Sequence, residues 1–134
     1  MLFPGEGFDL ILGIGIDLVN IKRMEIACKR RTQHFQRKLF SPREIRYCSS
    51  KKNLFLHLSA NFAAKEAFIK AVGTGLIKGQ KWTDIEIVRD ELGAPKVNLL
   101  GPMKKLVKKR GVNQILLSLS HTKDYAVSVV VLTG

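Results

Sequence analysis

The sequence predicts an α+β fold: an antiparallel sheet packed with one long helix and several shorter ones. Two patterns carry this. Apolar residues alternate at two-residue spacing over 10–19, 82–88, 114–120 and 125–132. Between the first two of these segments they recur at helical spacing behind capping signals. A strand, then three helices, then a strand-rich remainder is the order of helices laid against an antiparallel sheet.

Residues 10–19 put Leu10, Leu12, Ile14, Ile16 and Leu18 on one face and Ile11, Gly13, Gly15, Asp17 and Val19 on the other. So apolar a run reads as a buried strand, and a carboxylate buried there is costly unless something compensates it. Asp17 shares its face with two glycines, which make room for a ligand or a second backbone, or mark a bulge. Asn20 then caps a helix starting at Ile21. Continued through the thirties, that helix aligns Arg23, Arg30 and Arg37 in one basic stripe. FSPREI follows, with Ser41 as N-cap, Pro42 at the first helical position and Glu44 completing a capping box, so a short helix runs to about Ser50.

The long helix is NLFLHLSANFAAKEAFIKAVG, 53–73. Phe55, Leu58, Phe62, Ile69 and Val72 form its apolar side and Gly73 closes it. Glu66 falls within about 40° of Phe62, inside that stripe, with Lys65 and Lys70 on its flanks. WTDIEIV (82–88) is a strand, and a turn at Gly93 to Pro95 leads into KVNLL, 96–100. GPMKKLVKKRG (101–111) is a short basic helix ended by Gly111. QILLSLS (114–120) and YAVSVVVL (125–132) form a hairpin with HTKD at its tip.

A chain of 134 residues is one domain's worth. Residues 1–9, with Pro4, Gly5 and Gly7, read as a flexible leader and 10–134 as the domain. Its 23 Lys and Arg against 11 Asp and Glu, a formal +12, favour acidic partners without choosing among nucleic acid, anionic membrane, phosphorylated ligand and acidic protein. Cys28 and Cys48, at no zinc-ligand spacing, read as reduced thiols of a cytoplasmic protein. The apolar run broken at Asp17, without a basic segment before it, reads as neither signal peptide nor membrane span.

Two acids in apolar surroundings call for a shared proton, an ion pair or a metal. Mg²⁺ is commonly held by one or two carboxylates plus waters and substrate phosphates, and flanking lysines suit such phosphates. On the residues alone, metal–phosphate chemistry, a structural salt bridge and acid–base work all stay open. His121, between Ser120 and Thr122 at the hairpin tip, is the histidine best placed to meet a ligand. His34 and His57 read as ordinary helix residues.

GIGIDLVNIKR, FSPREI, NFAAKEAFIKAVGTG, WTDIEI, GAPKV and SLSHTKDYA occur in this order over roughly residues 10–132. Together they resemble the holo-[acyl-carrier-protein] synthases, the short bacterial branch of the 4'-phosphopantetheinyl transferases. GIDLV with FAAKEA is the most specific pairing, because it supplies both acids in the family's strand-then-helix arrangement. The resemblance implies transfer of 4'-phosphopantetheine from coenzyme A to a serine of apo acyl carrier protein, releasing adenosine 3',5'-bisphosphate, in fatty acid biosynthesis. By similarity Asp17 and Glu66 ligate Mg²⁺, Lys65 and Lys70 meet coenzyme A phosphates, and His121 and Thr122 approach the nucleotide. Arg23, and by charge Arg30 and Arg37, face the acidic carrier. The resemblance also implies a homotrimer with sites between subunits. The chain departs from the family at Asn61, where an arginine that helps to bind phosphate is usual. Two rivals remain: a coenzyme A-binding inactive homologue, on the strength of Asn61, and a small basic nucleic-acid-binding protein, which the low aromatic content of 7% disfavours.

Overall fold

The computed structural model describes residues 10–134, so the expected leader at 1–9 lies outside the described residues. Strand β1 (Ile11–Asn20) leads into helices α1 (Ile21–Arg30), α2 (Gln33–Leu39), α3 (Pro42–Ser49) and the long α4 (Leu54–Val72). After a 3-10 turn at Trp82–Asp84 come β2 (Ile85–Arg89), β3 (Pro95–Leu99), α5 (Pro102–Lys109), β4 (Gln114–His121) and β5 (Tyr125–Thr133). The α+β expectation is met, with the strands divided between two antiparallel sheets: β1-β5-β4, and the hairpin β2-β3.

Helix α4 organises the rest. Asn53 caps it through a bond from the Leu56 amide, and Gly73 ends it at φ 85°. Between Leu58 and Val72 only Phe62, Glu66 and Lys70 escape burial. These three stand at i, i+4 and i+8, a single row left open along an otherwise enclosed helix. Phe62 and Glu66 therefore lie on its open side rather than in a buried stripe.

One core cluster joins Phe68 of α4 to Ile85, Met103 and Val130. The other joins Leu58 to Met24, Leu39, Phe40 and Cys48 beneath the short helices. Trp82 packs against both. Cys28 and Cys48 are buried and unbridged, and burial pushes the Cys48 thiol up to about 12, so it stays protonated. Among the described residues no helix is long and apolar enough to cross a membrane.

The face of β1 that covers α4 is the one bearing Gly13, Gly15 and Asp17. A Cβ on Gly13 would fall onto the carbonyl oxygen of Ala71, and one on Gly15 onto that of Ala67. The glycines thus admit a second backbone, that of α4. The opposite face of β1, expected to be buried, is open: Ile14, Ile16 and Leu18 are each more than 60% exposed.

Two further expectations are corrected. The helix from Ile21 does not continue through the thirties, because Arg31 and Thr32 are extended and the chain restarts at Gln33. β-Branched Thr32 suits the N-cap better than a helix interior. Arg23 and Arg30 share α1, and Arg37 belongs to α2. In WTDIEIV, the Asp84 carboxylate accepts the Lys81 amide and folds residues 82–84 into the 3-10 turn, so the strand starts at Ile85.

Gly15→Ala is expected to cost about 1–3 kcal/mol in urea unfolding, because helix backbone occupies the space a methyl needs. Unchanged stability would mean that β1 and α4 separate readily.

Candidate active site

Gly13 meets Ala71 and Gly15 meets Ala67, and the next residue on that face of the strand is Asp17. It is delivered beside the open row of α4. The Lys70 ammonium donates to Asp17 Oδ1 at 2.9 Å and to the Ile16 carbonyl at 3.1 Å. The Asp17 hydrogen bond and charge push the Lys70 pKa up. Glu66, one turn before Lys70, has its carboxyl raised by burial and then by the like charge of Asp17, against the pull of Lys70.

These three side chains form one wall of a cavity of about 540 Å³. Asn20 and Arg23 border it where α1 begins, the Asn20 side chain accepting the Arg23 amide at 2.9 Å. Met24, Phe35, Leu39 and Phe62 make the rest of it apolar. Arg23 also borders a smaller cavity, of about 370 Å³, shared with Ile26, Arg30 and Arg31. The ionic wall is therefore continuous with a basic surface along α1.

Does the site suit a divalent metal? Two carboxylates with mutually repelling charges face an open cavity, which suits an ion that completes its shell with waters and phosphate oxygens. Among the described residues no group of three or more His, Cys, Asp or Glu is poised to enclose an ion. The donor set fits a hard, partly solvated ion such as Mg²⁺ and does not fit a closed zinc site.

Lys65, expected to meet phosphate, stands apart from this cavity. Its ammonium is fully buried, donating to Glu44 Oε1 at 2.6 Å and to the Trp82 carbonyl at 2.9 Å. Asn61, a turn earlier, is also buried and donates to Glu44 Oε2 at 3.1 Å. Both point towards α3, about 100° round the helix from the open row. Burial pushes Glu44 up and Lys65 down, while their mutual attraction works the other way.

His121 and Thr122 do not line the cavity of Asp17 and Glu66. His121 is exposed at the end of edge strand β4, opposite Ala126, which itself faces Val19. That is two strand spacings, roughly 10 Å, from β1. The Thr122 hydroxyl oxygen accepts the amides of Asp124 and Tyr125, which shapes the hairpin turn. The Ile21 amide in turn donates to the Asp124 carbonyl, tying this turn to the start of α1.

Sequence reasoning missed a cationic cluster on this side. Lys51 and Arg89 each lie 4.8 Å from the Tyr47 ring centroid, and the Arg89 Nε donates to the Tyr47 hydroxyl. The His57 ring stands edge-on to Tyr47. Burial, then the charges of Arg89, Lys51 and His121, pull the His57 pKa below its usual 6.5. No motif marked these residues, because α3, the loop after it, α4 and β2 each contribute one. The one available signal was a helix-start histidine following a lysine pair.

Comparison with known proteins identifies the architecture. Residues 13–130 match the model of the 4'-phosphopantetheinyl transferase superfamily. A holo-[acyl-carrier-protein] synthase of Geotalea daltonii is 43% identical over 123 residues, spanning 92% of this chain and 98% of its own. The crystal structure of the holo-[acyl-carrier-protein] synthase from Neisseria meningitidis superposes with a TM-score of 0.83 at 35% identity, covering 92% of this chain and 98% of the other. The Helicobacter pylori enzyme in complex with coenzyme A gives 0.76 at 34% identity, covering 89% and 98%. The chain belongs to the 4'-phosphopantetheinyl transferase superfamily and is an enzyme of that class, in line with the resemblance of its motifs.

The raised Glu66 carboxyl predicts a pH-dependent stability in metal-free protein. The folded state holds that proton more tightly than the unfolded chain, so this contribution is fully present below the ordinary 4.5 and is lost as pH rises through the raised value. Glu66→Gln is expected to be the more stable protein at neutral pH, with the advantage disappearing below the ordinary range. Urea midpoints measured across pH in chelator check this, and a constant offset would contradict it.

Proposed function

We propose that the chain transfers 4'-phosphopantetheine from coenzyme A to a serine of apo acyl carrier protein, releasing adenosine 3',5'-bisphosphate, with Mg²⁺ required. The observation that carries this is the Asp17–Glu66–Lys70 wall opening onto a cavity bordered by Arg23, in a chain of this family. Asp17 and Glu66 are the residues that would hold the ion. When bound, Mg²⁺ supplies Lewis-acid polarisation of the phosphoryl group and neutralises charge on the leaving phosphate. Lys70 keeps Asp17 turned to the cavity and has one N–H left for a phosphate oxygen. The carrier serine oxygen forms the new bond to phosphorus as the bond to the adenosine bisphosphate oxygen breaks, so no nucleophile of this chain is needed.

Arg23 and Arg30 would receive the carrier, whose acidic surface suits the basic run continuous with the cavity. His121 and Thr122 would meet the nucleotide end. Thr122 spends its oxygen on backbone amides and keeps its O–H to donate. The cations around Tyr47 lie on the same side.

Since His121 and Thr122 stand outside the cavity of their own chain, we place the complete site between copies in a homotrimer. The open aliphatic face of β1-β5-β4, carrying Ile14, Ile16, Leu18 and Leu116, supports that assembly. We assign the reaction to the cytoplasm and to fatty acid biosynthesis, with no nucleic-acid or membrane partner. Against the rival inactive homologue stands the retained wall of Asp17, Glu66 and Lys70; Asn61, where an arginine is usual in the family, is engaged with Glu44.

Intact-protein mass spectrometry of apo acyl carrier protein incubated with coenzyme A, with and without Mg²⁺, tests the reaction. A gain of one phosphopantetheine only with the metal is expected; no gain on a competent carrier would sink the reading. Asp17→Ala and Glu66→Ala should each reduce the rate by more than the ~10–100-fold typical of groups that merely orient a ligand. Arg23→Glu should raise the KM for the carrier, most at low salt, and leave that for coenzyme A near the parent value. The reverse pattern would remove Arg23 from the docking surface.

A further inference from the structure

We propose that Lys65 and Glu44 form a positioning pair that fixes the rotation of α4 and thereby holds Glu66 and Lys70 against Asp17. The inference rests on the reading above that Asp17 and Glu66 are the working carboxylates. Its basis is the arrangement of α4 in two rows. Phe62, Glu66 and Lys70 face the cavity side, and each of the first two is directly preceded by a fully buried polar residue, Asn61 and Lys65. Adjacent residues project about 100° apart, so any turn of the helix about its axis moves both rows together.

The buried row is held from several directions. The Glu44 carboxylate takes the Lys65 ammonium at 2.6 Å, the Asn61 amide at 3.1 Å and, in the capping box of α3, the Ser41 amide at 3.0 Å. Ser41 donates onward to Glu86 of β2 at 2.6 Å, and Asn98 of β3 donates to the same carboxylate at 3.1 Å. Lys65 also fixes the 3-10 turn through the Trp82 carbonyl, and the Trp82 ring packs on Phe62, centroids 5.3 Å apart. Phe62 lines the cavity. One buried ammonium thus anchors the helix and, through Trp82, one of the cavity's walls.

A pair that served stability alone could be exchanged for apolar side chains, since replacing both members of a buried ion pair is often neutral or stabilising. Glu44→Leu combined with Lys65→Met makes that exchange. The double variant leaves the Asn61 and Ser41 amides without their acceptor, so it is expected to melt below the parent yet stay folded, while its crystal structure shows Glu66 and Lys70 displaced from Asp17. Calorimetric titration with Mg²⁺ in the presence of coenzyme A should show affinity reduced about tenfold or more, as for other groups that orient a metal ligand without touching the ion. The rate constant kcat should fall in step, with the KM for the carrier unchanged because α1 is untouched.

Lys65→Met alone leaves Glu44 buried without its cation and should lower the melting temperature sharply. Glu44→Gln keeps the shape and an oxygen for Lys65 but leaves that ammonium without a counter-charge, so it should melt below the parent and give a smaller loss of Mg²⁺ affinity than the double variant. A folded double variant, or a Glu44→Gln protein, with the parent's Asp17–Lys70–Glu66 arrangement and Mg²⁺ affinity would overturn the proposal. Failure of the parent chain itself to bind Mg²⁺ or transfer the group would count against the functional reading. The crystal comparison then decides the pair's role by the same two outcomes.

Discussion

The molecule depends on how closely the first strand can lie against the central helix. Van der Waals contact between a strand backbone and helix carbonyls is possible only where the strand has no side chains, and Gly13 and Gly15 provide that at the two positions facing Ala71 and Ala67. Small residues on both partners make the approach, and the approach makes the site. Asp17 extends the same face of the strand, so its carboxylate arrives within hydrogen-bond distance of Lys70 and beside Glu66. An aspartate that looks misplaced in an apolar strand is the end of a packing seam, where contact gives way to an opening.

The same helix carries charge in two settings. On the open row, Asp17 and Lys70 form a partly exposed pair whose attraction solvent screens, so either partner can exchange the other for an incoming ion. On the buried row, Glu44 and Lys65 have no solvent to fall back on, and each must keep the other. Ligand exchange needs groups whose partners are replaceable; a frame needs groups whose partners are not. Adjacent positions in AAKEA serve these opposite demands because successive helix residues face different surroundings.

Much of this was legible in the sequence, and the gaps have physical causes. The capping box at Ser41 and Glu44, the Asn53 and Gly73 ends of α4 and the β4–β5 hairpin follow local rules that tertiary contacts do not override. Asp17, Glu66 and Lys70 were legible too, because polar residues at i and i+4 amid apolar ones stand out. The Lys65–Glu44 pair was not legible, since the two lie 21 positions apart and Glu44 already has an evident local task in the capping box. Periodicity assigned the right residues to each face of β1 but not which face is covered, which depends on the glycine contact with α4. The break at Thr32 was hidden because the basic residues on either side continue the helical spacing.

The uncovered sheet face has a consequence for how the molecule behaves at different concentrations. Ile14, Ile16 and Leu18 stand on a strand at the sheet's edge with their side chains in water. In the proposed homotrimer, covering the exposed two thirds of each such side chain would be worth roughly 1–2 kcal/mol. Dilution withdraws that gain. Resistance to heat and proteolysis would then track the amount of protein present, making abundance itself a control on how much of the enzyme is in working order.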